Sequence, residues 1–186
     1  MITNKSLYKQ IEEKFPEVIK YPTAIRREKE FRAFMEKAKP KIALEIGTCL
    51  GISACMIAMY ADKVYTIDTT EYPIAKEIWQ EFGVIDKITS IIIGIGDDKE
   101  LKKAEAVKPL KFDFAYIDGC HFYEGVKHDW ELVKDKCDKI LFDDYGNCAG
   151  VVKLVNNLRG YKKIDERKLA YLERDGHSDC FIQEGQ

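Results

Sequence analysis

Residues 111–147 have the sequence KFDFAYIDGCHFYEGVKHDWELVKDKCDKILFDDYGN, which predicts a strand, a helix and a second strand. The first apolar run, 112–117, is followed directly by Asp118, and the second, 139–142, is followed by two more aspartates. Ligands of open α/β sheets bind outside the carboxyl ends of the strands. A strand–helix–strand unit at this place therefore predicts a ligand site built from acidic side chains.

Four polar side chains converge at this predicted edge. Asp118, Asp143 and Asp144 follow the two strands, and His121 lies three residues after Asp118 in the same turn. Carboxylate oxygens suit a hard divalent cation, and an imidazole beside them can accept a proton near neutral pH. The stretch therefore predicts a metal site with a general base next to it.

The rest of the chain repeats the same alternation of strands and helices. Short apolar runs that predict parallel strands occupy 42–46, 64–67, 88–93, 112–117 and 139–142. Helical spacing of apolar residues separates them, and three further strands are predicted at 161–164, 168–173 and 180–183, with a turn at 174–177. We therefore expect an α/β fold with a mostly parallel sheet and an antiparallel edge.

The length of 186 residues predicts a single domain. Residues 1–22 either cap a site or form a surface segment, 24–158 form the cofactor-binding core, and 160–186 supply the antiparallel strands. A net charge of −2 gives no field that would attract nucleic acid, and no apolar run approaches the length of a membrane span. The expected partner is a small molecule, and homo-oligomerisation stays open.

The six cysteines form no C-x-x-C pair, and the first residues lack the apolar core of a signal peptide. Both observations lead us to expect a cytoplasmic protein. Cys49, Cys120 and Cys148 fall in turns where ligands are expected. They are either reactive thiols or small residues that fill the turns.

The turn after the first predicted strand, EIGTCLG at 45–51, differs from the common phosphate-binding loops. It contains neither G-x-G-x-x-G nor G-K-[ST], and Glu45 would place negative charge where a pyrophosphate must lie. The turn therefore suits a ligand with cationic and hydroxyl groups. S-adenosylmethionine has a sulfonium, an ammonium and ribose hydroxyls, and it has no phosphate.

The segment LEIGTCLGISA at 44–54 resembles the first motif of class I S-adenosylmethionine-dependent methyltransferases, [DE]-x-G-x-G-x-G. Glu45, Gly47 and Gly51 match the motif, whereas Cys49 replaces its middle glycine, the residue that most readily takes a positive φ. The resemblance implies a Rossmann-like, doubly wound sheet of seven strands in the order 3-2-1-4-5-7-6, with helices on both faces.

The same resemblance assigns cofactor contacts to individual residues. Asp68, at the end of the second strand, matches the acid that binds the ribose hydroxyls, and Asp97 follows the third strand where a side chain meets the adenine amine. Taken alone, each of these acids could also be a helix N-cap. The cofactor-binding residues that the resemblance implies are Glu45, Gly47, Thr48, Cys49, Gly51, Asp68, Asp97 and Asp118.

The stretch that contains YIDGCHFYEGVKHDWELV and ILFDDYG is similar to a subgroup of small class I methyltransferases with the motif I-D-G-x-H. That subgroup includes metal-dependent O-methyltransferases that act on sugar hydroxyls of natural products. The similarity implies that Asp118, Asp143 and Asp144 hold Mg²⁺ and that His121, with Asp118 beside it, acts in catalysis. Alternatively, Asp144 caps the next helix and His121 only bonds a backbone carbonyl.

Together these patterns predict an S-adenosylmethionine-dependent methyltransferase that transfers a methyl group to a small hydroxylated acceptor with help from Mg²⁺. A metal-independent methyltransferase is the alternative within the same class. A protein that binds S-adenosylmethionine without turnover is the alternative from another class.

Overall fold

The computed structural model describes residues 6–20, 28–166, 168–176 and 179–183. Within them, a seven-stranded sheet lies between two layers of helices. The strands are β1 (Ile42–Ile46), β2 (Lys63–Asp68), β3 (Ile88–Ile92), β4 (Phe114–Ile117), β5 (Lys139–Phe142), β6 (Leu158–Arg159), β7 (Tyr161–Glu166), β8 (Leu169–Arg174) and β9 (Phe181–Ile182).

The strand order in the main sheet is β3-β2-β1-β4-β5-β8-β7. Because β6 lies outside this sheet, the order of its seven members counted along the chain is 3-2-1-4-5-7-6, which confirms the predicted fold class. The first five strands are parallel, and β8 runs antiparallel to both β5 and β7. Parallel pairing of buried apolar strands requires crossover helices, which the intervening segments provide.

Seven α-helices are found in the described residues. They are α1 (Leu7–Lys14), α2 (Glu28–Ala38), α3 (Ile52–Ala58), α4 (Pro73–Glu81), α5 (Lys99–Val107), α6 (Tyr123–Val133) and α7 (Ala149–Asn157). Short 3-10 helices lie at Pro16–Lys20 and Ile85–Lys87. None of the helices in the described part of the chain has the length and apolar character needed to cross a membrane.

Apolar side chains form a core on each face of the sheet. On one face, Phe31 of α2, Met56 of α3 and Trp79 of α4 are almost completely buried. On the other face, Trp130 of α6 and Leu154 of α7 are equally buried. Burial of one such side chain contributes about 1.5–3 kcal/mol, so the two layers hold the strand ends in fixed positions.

Helix α1 belongs to the first of these layers, since Leu7, Tyr8 and Ile11 are buried there. The Glu28 carboxylate accepts hydrogen bonds from the backbone N–H groups of Leu7 and Tyr8, at 2.8 and 3.0 Å. Arg32 donates to the same carboxylate at 2.7 Å. Two amide groups that the first turn of a helix leaves without an intrahelical partner are thereby satisfied. Residues 1–5 and 21–22 of the predicted N-terminal segment lie outside the described residues.

The register of the parallel strands brings their carboxyl ends to one rim. Ile46 of β1 lies opposite Ile67 of β2 and Ile117 of β4, and Ile117 lies opposite Phe142 of β5. The residue that follows each of these positions therefore lies at the same level of the rim. These following residues are Gly47, Asp68, Asp118 and Asp143.

The end of the chain departs from one expectation. Strand β9, predicted over 180–183 as part of the antiparallel edge, pairs with β6 in a separate two-stranded sheet. Gly160, at φ +84°, turns the chain between β6 and β7, and a Cβ atom there would lie 2.5 Å from the carbonyl oxygen of Asp179. This close approach holds the last strand against β6. The predicted turn at 174–177 includes His177, which lies outside the described residues.

Candidate active site

A cavity of about 530 Å³ opens at the carboxyl ends of β1, β2 and β4. Its size falls within the range of about 300–1,000 Å³ that is usual for small-molecule sites. Ile46, Ile67 and Ile93 supply apolar wall. The other lining residues are Gly47, Cys49, Asp68, Thr69, Lys99, Glu100, Lys103, Asp118, Gly119, Cys120, His121 and Phe122.

The turn after β1 requires glycine where it touches β4. Gly47 has φ +102°, and a Cβ atom there would lie 2.2 Å from the carbonyl oxygen of Asp118. Its N–H donates to the carbonyl oxygen of Ile67 at 2.9 Å. Gly51 has φ +71° and packs against Trp79, whose indole N–H donates to the Gly51 carbonyl at 2.7 Å. Both glycines of the motif are therefore fixed by close packing.

Cys49 occupies the position at which the motif usually has its middle glycine. It adopts φ +44°, a left-handed conformation that costs a non-glycine residue about 1–3 kcal/mol. Its backbone N–H donates to Asp68 Oδ2 at 2.8 Å, which helps to hold it there. Although Cys49 departs from the motif, it therefore has the left-handed backbone conformation that a glycine at this position would favour.

Asp68 is held from three sides at the end of β2. Besides the bond from Cys49, its Oδ1 accepts from the backbone N–H of Thr70 at 3.1 Å and from the Thr69 hydroxyl at 3.3 Å. These bonds orient the carboxylate, which forms part of the cavity wall. Each carboxylate oxygen has two lone pairs, so Asp68 can still accept hydrogen bonds from ligand hydroxyls.

Glu45 lies inside the protein rather than on the cavity wall. It is completely buried in β1, and its Oε2 accepts a hydrogen bond from the Thr66 hydroxyl at 2.5 Å, while the hydroxyls of Thr66 and Thr48 lie 2.6 Å apart. Burial raises the pKa of Glu45 to about 8, although the hydrogen bonds with Ser53 and Thr66 act to lower it. At neutral pH the carboxyl is therefore mostly neutral, whereas the sequence led us to expect a negative charge facing the ligand.

Three more of the predicted cofactor residues are absent from the cavity wall. Thr48 is buried with Glu45, and Gly51 is buried at the start of α3. Asp97 is exposed in the loop after β3 and is absent from the cavity lining. Contacts between these side chains and a cofactor remain predictions.

Tyr116 links two of the predicted metal ligands. Its buried hydroxyl lies 3.3 Å from Asp118 Oδ2 and 3.2 Å from Asp143 Oδ2. Burial, followed by the charges of Asp118 and Asp143, raises the pKa of Tyr116 well above its usual value, so it stays a hydrogen-bond donor. Sequence reasoning missed this residue because a tyrosine in an apolar strand is typical of core packing.

His121 lies between two carboxylates at the mouth of the cavity. Its Nε2 is 3.5 Å from Asp118 Oδ1 and 3.3 Å from Asp144 Oδ2, and 45% of its side chain is exposed. Hydrogen bonding to Asp118 raises the pKa of His121, and the surrounding carboxylates raise it further. Burial raises the pKa of Asp118 to about 7, and Asp143 and Asp144 add to the rise while His121 opposes it. The imidazole of His121 and the carboxyl of Asp118 therefore affect each other's protonation at the mouth of the cavity.

Asp144 adopts a left-handed backbone conformation with φ +53°. Its backbone N–H donates to Asp143 Oδ1 at 2.7 Å, and its Oδ1 accepts from Asn147 Nδ2 at 3.2 Å. Helix α7 has Cys148 as its N-cap, without a side-chain capping bond. The Asp144 carboxylate thus contacts Asn147 and His121 instead of capping α7, and all four residues predicted for the metal and base belong to one cluster.

A buried ion pair that the sequence did not reveal forms another part of the wall. Lys103 Nζ lies 2.5 Å from Asp129 Oδ1 and 2.9 Å from Glu100 Oε2. Burial lowers the pKa of Lys103, but the carboxylates of Asp129 and Glu100 raise it by more, so the pKa lies above its ordinary value. Lys103 and Glu100 lie in a polar helix and Asp129 on a polar flank, so the sequence pattern gave no signal of their pairing.

The polar side chains at this rim include two sets of candidate metal ligands. Asp118, Asp143 and Asp144 offer the oxygen donors that Mg²⁺ prefers, and their coordination of one ion remains a prediction. A second group contains different donors, since ligand atoms of His121, Asp144 and Cys148 all lie within 4.8 Å of one another.

The sheet order, the glycine turn after β1 and the acid-lined cavity define the class I methyltransferase fold. The family model described as "Methyltransferase domain" matches residues 44–145, which is more than half of the chain. The chain belongs to this methyltransferase domain family. A probable O-methyltransferase of Mycobacterium tuberculosis is 38% identical over 69 residues, which cover 35% of this chain. The matched region spans only 30% of that relative.

Solved structures support the same fold along almost the whole chain. An O-methyltransferase from Bacillus cereus, solved in complex with S-adenosylhomocysteine, has a TM-score of 0.68 at 13% identity, with 94% of this chain and 93% of that chain covered. TomG, an O-methyltransferase from Streptomyces achromogenes involved in tomaymycin synthesis and solved with S-adenosylmethionine, has a TM-score of 0.67 at 15% identity, with 93% and 91% covered. At these identities the likeness establishes the fold.

Proposed function

We propose that this protein is an S-adenosylmethionine-dependent O-methyltransferase that acts on a small hydroxylated acceptor, such as a sugar or another natural-product hydroxyl. One observation carries the proposal. The cavity that reaches the glycine turn at Gly47 and the acid at Asp68 also has Asp118 and His121 in its wall. A donor bound over the turn and an acceptor activated by His121 would therefore share one space.

The donor half of the cavity has the chemistry that S-adenosylmethionine requires. Asp68 is oriented by backbone N–H groups and can accept from ribose hydroxyls. Ile46, Ile67 and Ile93 provide apolar surface for an adenine ring. These residues support S-adenosylmethionine as the methyl donor. Its sulfonium is already activated, so the protein contributes mainly the geometry of the transfer.

The acceptor half supplies a proton acceptor. His121 is partly exposed at the cavity mouth, and Asp118 and Asp144 stabilise the protonated imidazole that forms when it accepts the hydroxyl proton. Tyr116 holds Asp118 and Asp143 in place. Asp118, Asp143 and Asp144 would hold Mg²⁺, which, when bound, lowers the pKa of a coordinated hydroxyl and orients it.

A screen of hydroxylated acceptors with detection of S-adenosylhomocysteine tests the proposal. We expect acceptor-dependent product with the wild type and a loss of about 100-fold or more in His121→Ala, because the base is missing. His128→Ala is the matched control, since His128 lies on α6 beside Glu100 and outside the cavity lining. Undiminished turnover in His121→Ala would contradict the proposed base.

Metal-independent transfer is the second candidate, and it is favoured by the position of His121 between two carboxylates, which can orient a base without an ion. The two candidates differ in their response to a chelator. If Mg²⁺ assists, turnover falls after chelation and returns with added Mg²⁺. If turnover is the same in both states, the metal-independent reaction is correct.

A further inference from the structure

The start of α7 brings a thiol to the acceptor cluster. Sγ of Cys148, a carboxylate oxygen of Asp144 and a ring nitrogen of His121 lie within 4.8 Å of one another. The Mg²⁺ ligands and the base described above leave Cys148 without a function. We propose that His121, Asp144 and Cys148 form a site for a thiophilic divalent ion such as Zn²⁺, and that an ion bound there inhibits methyl transfer.

The distances within this group suit a tetrahedral ion. Zn²⁺ binds nitrogen and oxygen at about 2.0–2.2 Å, so neighbouring ligand atoms of a tetrahedral site lie about 3.3–3.5 Å apart. His121 Nε2 is 3.3 Å from Asp144 Oδ2 and 3.5 Å from Asp118 Oδ1. The ligand atoms of His121 and Asp144 therefore lie at the spacing that such an ion requires, and solvent molecules would complete its coordination.

The backbone holds these side chains together before any ion arrives. A Cβ atom at Gly150 would lie 2.4 Å from the carbonyl oxygen of His121 and 2.5 Å from the N of Tyr123. This contact fixes the first turn of α7 against the His121 segment. The N–H of Cys148 donates to the carbonyl of Asp144 at 3.0 Å, so the thiol and the carboxylate also have a fixed relation.

Hydrogen bonding also sets the orientation of the Asp144 side chain. Asn147 Nδ2 occupies its Oδ1 at 3.2 Å, while Oδ2 faces His121. The left-handed backbone of Asp144, at φ +53°, is part of this arrangement. A group of ligands whose positions are set in advance loses less conformational freedom when it binds an ion.

The donor types decide which ion is preferred. Thiolate and imidazole ligands select Zn²⁺ and similar ions, whereas Mg²⁺ prefers oxygen ligands throughout. When Zn²⁺ binds, a Zn–S bond replaces the S–H bond of Cys148, and the thiol proton passes to solvent. The Nε2 lone pair of His121 becomes a Zn–N bond, so it can no longer accept the hydroxyl proton. This consequence rests on the proposed function.

Binding is tested with Co²⁺ alone, as a spectroscopic probe for Zn²⁺, on chelator-treated protein. We expect a 1:1 titration with a thiolate-to-cobalt charge-transfer band in the near ultraviolet. Cys148→Ser and Cys148→Ala should lose the band and bind at least ~10-fold more weakly. Cys180→Ser is the matched control, because Cys180 is a partly buried thiol beside Gly160 and does not belong to the group of His121, Asp144 and Cys148. Absence of the band in the folded wild type, or its persistence in both Cys148 variants, would overturn the site.

Inhibition is tested separately by titrating Zn²⁺ into the methyl-transfer assay. Cys148→Ser should keep the basal rate and need at least ~10-fold more Zn²⁺ for half inhibition than the wild type or Cys180→Ser. Equal sensitivity of all three proteins would overturn the inhibitory role. A protein that gives the cobalt band and transfers no methyl group to any acceptor would contradict the proposed function while leaving the metal site intact.

Discussion

The two halves of the rim use their acids in different ways. In the donor half, Glu45 on β1 is buried and bonded to Thr66 on β2, and Asp68 accepts two backbone N–H groups, one of them from Cys49 in the turn after β1, so both carboxyls link β2 to β1 or its turn. In the acceptor half, Asp118 and Asp143 share one hydroxyl and stand beside further negative charge. The carboxyls of the donor half hold the turn in its conformation. Those of the acceptor half remain able to bind a proton or a cation.

The largest effect is expected from a change in the donor turn. Gly47→Ala introduces a methyl group 2.2 Å from the Asp118 carbonyl at φ +102°. We expect a loss of more than about 100-fold in affinity for S-adenosylhomocysteine and a destabilisation of roughly 3 kcal/mol or more, because backbone must move. Calorimetric titration and urea denaturation measure the two effects.

Gly83→Ala is the matched control for this change. Gly83 also has a positive φ, +67°, but a Cβ atom there would meet nothing within 4 Å. It should cost about 1–2 kcal/mol of stability and leave affinity for S-adenosylhomocysteine within about 3-fold. If the two variants behaved alike, close packing of the turn against β4 would not matter for the site.

The variant Asp143→Ala tests whether the acceptor half acts separately from the donor half. This variant removes an oxygen ligand and a partner of Tyr116, so we expect methyl transfer to fall by about 100-fold with affinity for S-adenosylhomocysteine unchanged within about 3-fold. Steady-state rates and calorimetry report the two halves independently. Asp135→Ala, which alters an exposed acid after α6, should change neither quantity. Full activity with unaltered Mg²⁺ dependence in Asp143→Ala would contradict the oxygen-ligand site.

A smaller effect is expected at Asp68. Asp68→Asn removes the charge that accepts hydrogen bonds at the end of β2, so the dissociation constant of S-adenosylhomocysteine should rise about 10-fold while the rate at saturating donor changes little. Asp62→Asn alters an exposed acid before the opposite end of the same strand and serves as control. Equal affinity in both variants would remove Asp68 from the donor site.

The last prediction concerns the pH dependence of stability and does not involve a ligand. The pKa of Glu45 is about 8 in the folded protein, above its ordinary value of 4.5, so the folded state retains a proton that the unfolded chain has lost. The free energy of unfolding should therefore fall between about pH 5 and pH 8, by roughly 1 kcal/mol per pH unit from this group.

Glu45→Gln tests this directly by urea denaturation across the same range. The neutral amide cannot titrate, so the variant should show a pH slope that is shallower by roughly 1 kcal/mol per unit. The remaining slope includes Asp118, whose pKa is raised to about 7. An identical slope in wild type and variant would mean that Glu45 is ionised in the folded protein at neutral pH.

The sequence predicted the fold well because its signals were local. Apolar runs that end in acids predicted parallel strands. The motif at Gly47 and Gly51 implied the strand order that the structure confirms. The pairing of β6 with β9 was not predictable, because a two-residue strand has no periodicity. Its partner depends on the turn at Gly160 and the close approach to Asp179.

For the site, the sequence predicted where the residues lie better than it predicted their burial and hydrogen bonding. Asp118, His121, Asp143 and Asp144 were expected at one edge, and the structure brings them together. The direction of the Glu45 side chain could not be read from its place in the motif, because it depends on which face of β1 the residue occupies. The buried pair of Lys103 and Asp129 joins α5 to α6 across 26 residues that include β4, so it left no local pattern.

The central claim is that one cavity joins a donor site and a separate acceptor cluster. Calorimetric titration of the wild type and His121→Ala with S-adenosylhomocysteine tests it most directly. We predict binding with a dissociation constant between about 1 µM and 1 mM, equal within about 3-fold in the two proteins, because His121 belongs to the acceptor half. An absence of binding to the wild type at millimolar concentration, or its loss in His121→Ala, would contradict the claim.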